Sequence, residues 1–206
     1  MGSEMCIRDS DVIDHINNNN NIHPILNYQL PKDIKVIKFS EFNDTIKENI
    51  DLIVVGVSSK GIEWVGEELS KFYNEKTNIL LLTKGLAVIE NQFETLADKL
   101  EKILKKNGTA NPKISAVGGP CLANGLANRI KSSVVLASKN IEIVKEIGKI
   151  ISTSYYSTEF TEDLIGVEVC AATKNIYSML IGASEGLSGN NIDGEIKKKY
   201  YLNTAA

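Results

Sequence analysis

The sequence predicts an α/β fold: a mostly parallel, doubly wound sheet followed by one long helix. Three observations carry this. From residue 35 onward, short apolar runs alternate with segments of helical periodicity, and that alternation implies crossover connections between parallel strands. Asp51–Val57 (DLIVVGV) and Asn78–Thr83 (NILLLT) are nearly continuous in apolar residues, as expected of strands covered on both faces. Gly166–Leu187 (GVEVCAATKNIYSMLIGASEGL) is apolar almost all round, which predicts a helix buried between layers.

Bulk composition sets the outer limits. The 206 residues suffice for one large domain, and 43% hydrophobic with 24% charged residues is a globular profile. Net charge is −3 with the basic residues evenly spread, so there is no basic stripe to point to nucleic acid. No apolar run reaches membrane-spanning length without a charge, so no membrane partner is expected. Cys6, Cys121 and Cys170 have neither metal-ligand spacing nor the number for a disulfide framework, which fits a reducing cytoplasm. Residues 1–10 (MGSEMCIRDS) read as an appended tag or artefact and are set aside. The chain stops in YYLNTAA, which reads as the first turn of another helix. The expectation is therefore a fragment of a longer protein.

In order, Asp11–Asn21 opens with helical spacing (Val12, Ile13, Ile16) and dissolves into asparagines, which are turn formers. His23–Pro31 reads as an extended connector punctuated by proline. Lys35–Phe39 predicts a strand, and Ser40 caps a helix over Glu41–Glu48. After the strand Asp51–Val57, Ser58 or Ser59 caps a helix through Phe72, with Ile62, Val65, Leu69 and Phe72 on one face. After Asn78–Thr83 comes a helix from about Gln92 to Lys106, with Phe93, Leu96, Leu100, Ile103 and Leu104 inward. Lys113–Val117 predicts a strand ending in Gly118-Gly119-Pro120, and Cys121–Arg129 a short helix. The strand Ser132–Ala137, the helix Ile141–Ile151 and a more exposed strand Tyr155–Phe160 lead to the long helix.

In open parallel sheets ligands bind beyond the C-terminal strand ends. The residues there are Ser58 and Ser59, Lys84 and Gly85, and Gly119, Pro120 and Cys121. Taken singly they read as an N-cap, a solvated loop lysine and a turn. Taken together they form a rim that suits an anionic ligand such as phosphate. Lys174 and Asn175 sit in the middle of the long apolar helix. Either the lysine snorkels to a surface on a packed stem, or it opens into a cleft as a desolvated amine suited to proton transfer.

Four segments, in this order, resemble the NAD(P)-dependent glycerol-3-phosphate dehydrogenases: DLIVVGVSS, LLTKGL, GGPCLANGLANR and GVEVCAATKNIYSMLIGASEGL, with NTAA resembling the start of the helix that follows. The likeness spans roughly residues 11–206. It implies a partial Rossmann-like domain over 11–162 that binds NAD or NADP, and the start of a helical substrate domain over 163–206. The implied reaction is reversible hydride transfer between NAD(P)H and dihydroxyacetone phosphate, giving sn-glycerol 3-phosphate. The family's catalytic lysine falls on Lys174. Its substrate-binding positions fall on Lys84, Gly119, Cys121 and Asn175, and its cofactor-binding positions on Ser59, Lys84 and Ala123. The complete enzyme would be a cytoplasmic homodimer acting on a small phosphorylated substrate.

The chain also departs from that family. It holds no G-x-G-x-x-G turn, and it has Cys121-Leu122 and Asn124-Gly125 where relatives carry other residues. These departures imply that the 206 residues alone are inactive. Two other readings stay open. One is another two-domain dehydrogenase of the 6-phosphogluconate type, and the other is a truncated, non-catalytic chain.

Overall fold

The computed structural model describes residues 11–34, 36–39, 50–89 and 91–187. Its centre is a five-stranded sheet. β3 (Leu52–Val55), β4 (Asn78–Leu81) and β7 (Lys113–Gly118) run parallel, in that order. β8 (Ser132–Ala137) then lies antiparallel to β7, and β9 (Tyr156–Thr161) parallel to β8. The sheet is thus mostly parallel, with one reversal between β7 and β8.

Side-chain alternation along β4 shows why helices cover both faces. Ile79 and Leu81 point into a core with Ile62 and Leu69 of α2 (Ile62–Ser70) and Leu96, Leu100 and Leu104 of α3 (Leu96–Lys106). Leu80 points the other way, into a second core with Leu136 of β8 and Val144 and Ile147 of α5 (Ile141–Ile151). A period-two strand buried on both sides needs apolar residues at every position, and NILL supplies them. The α5 helix has the predicted bounds, because Asn140 caps it by accepting from the Glu142 N–H and its apolar stripe is unbroken.

Several expectations need correction. Residues 36–38 carry no ladder. The Val36 carbonyl instead accepts from Asn17, and Lys38 pairs with Asp14, both on α1 (residues 11–18). The expected helix Glu41–Glu48 lies outside the described residues. The connector after α1 is a small hairpin of β1 (Ile22–His23) and β2 (Tyr28–Gln29), its turns held by Asn20, Asn21 and Asn27 at φ of 52°, 58° and 45°. Neither Ser58 nor Ser59 caps through its side chain. A 3₁₀ turn, Ser59–Gly61, leads into α2 instead.

The helix expected from Gln92 starts later. Leu86–Ile89 (β5) and Gln92–Thr95 (β6) form an antiparallel hairpin with Asn91 at φ 62°, so Phe93 is 81% exposed rather than inward. Thr95 then caps α3 by accepting from the Asp98 N–H. The helix predicted over Cys121–Arg129 is only Ala123–Ala127 (α4).

The largest correction concerns the long helix, α6 (Leu164–Leu187). It is not buried all round. Leu164 and Glu168 are 4% exposed, but Ile176, Tyr177, Met179 and Leu180 are 53–68% exposed. By length and composition, Leu164–Ser184 would suffice to cross a membrane. Its root, however, is packed on the sheet and carries a buried carboxylate.

Candidate functional site

Because β3, β4 and β7 are parallel, their C-terminal ends share one rim. The first two ends are stitched together: Thr83 Oγ1 donates to the Val57 carbonyl at 2.7 Å. Gly85 has φ +132°, and a Cβ there would lie 3.4 Å from the Ser59 Cβ. Ser59 and the Lys84-Gly85 turn are therefore neighbours. Lys84 is exposed and makes no ion pair among the described residues. The Ser58 Oγ beside them is buried with no hydrogen-bond partner among the described residues. A buried hydroxyl without a partner costs about 1–3 kcal/mol, so it marks a place where a ligand's polar group is favourable.

The third strand end is tight for a different reason. Gly119 has φ +134°, and a Cβ there would stand 3.0 Å from the Ser133 carbonyl oxygen. Only glycine lets the chain turn so close to β8. The Cys121 N–H donates to the Gly119 carbonyl, after which Leu122 and Ala123 lead exposed into α4. Tyr156, at the start of β9, belongs to this corner. Burial, and next the nearby Cys121, push its hydroxyl pKa above the usual range.

The α6 helix reaches the same rim from the side. Val167 packs on β7 so closely that a Cβ on Gly118 would meet its Cγ1 at 2.8 Å. Lys174 lies seven residues further, on the same helix face and ~10 Å along the axis. The helix therefore overshoots the strand ends and carries Lys174 and Asn175 past them, both exposed. Of the two readings left open for Lys174, its exposure excludes a lysine desolvated within the described residues. The structure thus joins Ser59 to the Lys84 turn, Gly119 to Cys121, and the root of α6 to Gly118. No hydrogen bond or ion pair among the described residues links the Lys174 ammonium to the rim.

One residue was read only in part and one escaped the sequence reading. Ser58 was placed at the rim, and its side chain, expected as a possible cap, is instead a buried hydroxyl with no hydrogen-bond partner among the described residues. Glu168 was passed over as one charge in an apolar run, yet it is 4% exposed. Its Oε1 accepts from the backbone N–H of Leu96 at 3.1 Å and of Ala97 at 3.2 Å. Burial raises its pKa to about 7 against the pull of those bonds. The available signal was a carboxylate at helical spacing from Leu164. A cavity of about 330 Å³ lies near the other end of β7, lined by Glu101, Lys105, Lys113 and Lys139 among others. None of the predicted site residues lines it.

A mostly parallel α/β sheet with glycine-built turns and a lysine at the C-terminal ends of its strands is the class of domain that binds ligands at that rim. The chain belongs to the NAD-dependent glycerol-3-phosphate dehydrogenase N-terminal family, whose model matches residues 3–144. It is 30% identical over 178 residues to a glycerol-3-phosphate dehydrogenase [NAD(P)+] of Fusobacterium nucleatum, covering 84% of this chain and 50% of that protein. A Clostridium botulinum protein of the same description is 31% identical over 186 residues, covering 89% and 53%. The crystal structure of the Coxiella burnetii glycerol-3-phosphate dehydrogenase superposes with a TM-score of 0.68 at 26% identity, covering 88% of this chain and 53% of that one. The chain spans about half the length of the curated relatives it matches.

Proposed function

We propose that the protein to which this chain belongs is an NAD(P)-dependent glycerol-3-phosphate dehydrogenase, reducing dihydroxyacetone phosphate to sn-glycerol 3-phosphate and reversing the step. The observation that carries this is the shared rim, where the Ser59 and Lys84-Gly85 turns meet and past which α6 carries Lys174. The rim suits a nicotinamide cofactor, since Ser58 Oγ lacks a partner and two glycines leave room for close approach. Ser59, Lys84 and Ala123 would hold it, and when bound it supplies or takes up the hydride.

The chain's own residues do the rest. Lys174 gives a proton to the substrate's carbonyl oxygen during reduction and takes it back in reverse, a role worth about 10²–10⁴ in rate. Asn175, one residue on, orients the substrate. Lys84 supplies positive charge for the phosphate, and the turn amides around Gly119 and Cys121 supply donors. Unpaired Cys121 and Cys170 support a cytoplasmic location. Resemblance supports a homodimer for the complete enzyme.

Residues 1–206 carry no glycine-rich turn, and we propose that alone they do not turn over. The test follows NADH and NADPH absorbance with dihydroxyacetone phosphate, for the 206 residues and for the longer protein containing them. Consumption by the longer protein alone is expected. Formation of NADH or NADPH from the oxidised cofactor with 6-phosphogluconate, and no consumption with dihydroxyacetone phosphate, would overturn the substrate assignment.

A further inference from the structure

We propose that Glu168 is a positioning residue that sets where α6 presents Lys174 and Asn175. It acts through the amino end of another helix. The inference rests on the reading of Lys174 given above, although its first test does not.

The first four N–H groups of a helix have no partner within it. In α3 these belong to the cap Thr95 and to Leu96, Ala97 and Asp98. Thr95 takes Asp98. The Glu168 carboxylate, arriving from a residue 72 positions away, takes Leu96 and Ala97. A carboxylate at that end also meets the positive pole of the helix. The tie is therefore made of directional bonds to a rigid element, and it is shielded from water.

Glu168 shares a face of α6 with Leu164, which is in the core under α2 and α3, and stands one residue on from Val167, which packs on Gly118. Seven residues on, Asn175 continues the face of Glu168 and Lys174 that of Val167, with Ala171 between them. From Lys174 to Leu180 the helix is exposed, with little packing to hold its direction. Apolar packing at Leu164 and Val167 resists separation but allows rotation and sliding. Two N–H bonds to one carboxylate fix both. The charged groups nearby are occupied elsewhere: Asp98 and Glu101 with Lys139, Glu101 also with Lys105, and Glu94 with Lys102. Burial alone would raise the Asp98 pKa, but bonds from Lys139 and Thr95 hold it below the usual range. Asp98 thus stays an anion satisfied by its own partners and does not compete for the α3 N–H groups.

The test is amide hydrogen exchange on the 206-residue chain, comparing wild type with Glu168→Ala and Glu168→Gln. In Glu168→Ala, exchange is expected to speed about tenfold at Leu96 and Ala97 and also across residues 171–175. In Glu168→Gln, which keeps an oxygen acceptor, both regions return to within about threefold of wild type. The α5 amides are expected to stay unchanged in both. Faster exchange at Leu96 and Ala97 alone would make Glu168 a mere cap and overturn the proposal, as would failure of glutamine to restore. If the alanine variant does not fold, Glu168→Asp, shorter by one methylene, gives the same two-region reading. In the longer protein, Glu168→Ala is expected to lower kcat about tenfold with KM within about twofold, and glutamine to restore it. If both regions respond while no variant reduces dihydroxyacetone phosphate, the positioning role stands and the dehydrogenase reading falls.

Discussion

The two halves of α6 are alike in composition and opposite in circumstance. Leu164–Ala172 is rooted: Leu164 in the core, Val167 against Gly118, Glu168 on the end of α3. The half from Lys174 to Ala183 is as rich in Ile, Met and Leu, yet most of it lies open. An all-round apolar helix predicts burial only if something is there to bury it. Composition states what a helix requires, and the topology of the neighbouring strands states what it gets. The contrast also separates roles: the rooted half fixes a direction, and the open half carries the residues assigned to chemistry.

The sharpest way to break the comparison is truncation in each half. Leu164→Ala is expected to destabilise the chain by about 2–5 kcal/mol, and Leu180→Ala, at 59% exposure, by less than about 0.5 kcal/mol. Urea denaturation of both variants checks this. Equal effects would erase the distinction.

Glu168 gives the next effect. Its pKa is about 7 in the folded chain and 4.5 as an ordinary glutamate. Between those values the folded state binds more protons than the unfolded one. This contribution to stability is therefore complete below pH 4.5 and lost as pH rises through 7, by roughly 3 kcal/mol in all. Melting curves across that range are expected to show the slope in wild type and its loss in Glu168→Gln.

Gly118→Ala is smaller. Its Cβ would meet the Val167 Cγ1 at 2.8 Å and force the root of α6 outward, at a cost of about 1–3 kcal/mol. Val167→Ala in the same chain is expected to recover part of it, read as a non-additive double-mutant cycle. Smallest is Thr95→Ala, which removes the cap on α3 for about 1 kcal/mol by thermal melting. Glu168 keeps two of the four N–H groups satisfied in that variant.

Periodicity revealed what is local. The α5 helix was legible to the residue because its cap, stripe and end all lie within a dozen positions. The central strand β4 was legible because residues buried on both faces leave an unbroken apolar run, whereas β3 exposes Val54 despite an equally apolar run. The β5–β6 hairpin was hidden by the helical stripe Leu96–Leu104 just beyond it, which drew Phe93 into the wrong element. Its one local sign was Asn91, suited to positive φ. The reversal between β7 and β8 had no signal, since a strand reads the same in either direction. For the candidate site, the positions of Ser59, Lys84, Gly119 and Cys121 at the strand ends were legible because turns are sequential, and Lys174 stood out as a cation in an apolar helix. Glu168 was not, because its partners lie 71 and 72 positions away and nothing near it in sequence announces them.

The central claim is that Lys174 serves chemistry and not stability. Its most direct test compares Lys174→Ala with wild type in the longer protein, following dihydroxyacetone phosphate reduction and, on the same samples, urea denaturation. The account predicts that turnover falls by about 10²–10⁴ while stability shifts by less than about 0.5 kcal/mol. Unchanged turnover, or a loss of activity that tracks a loss of stability, would contradict it.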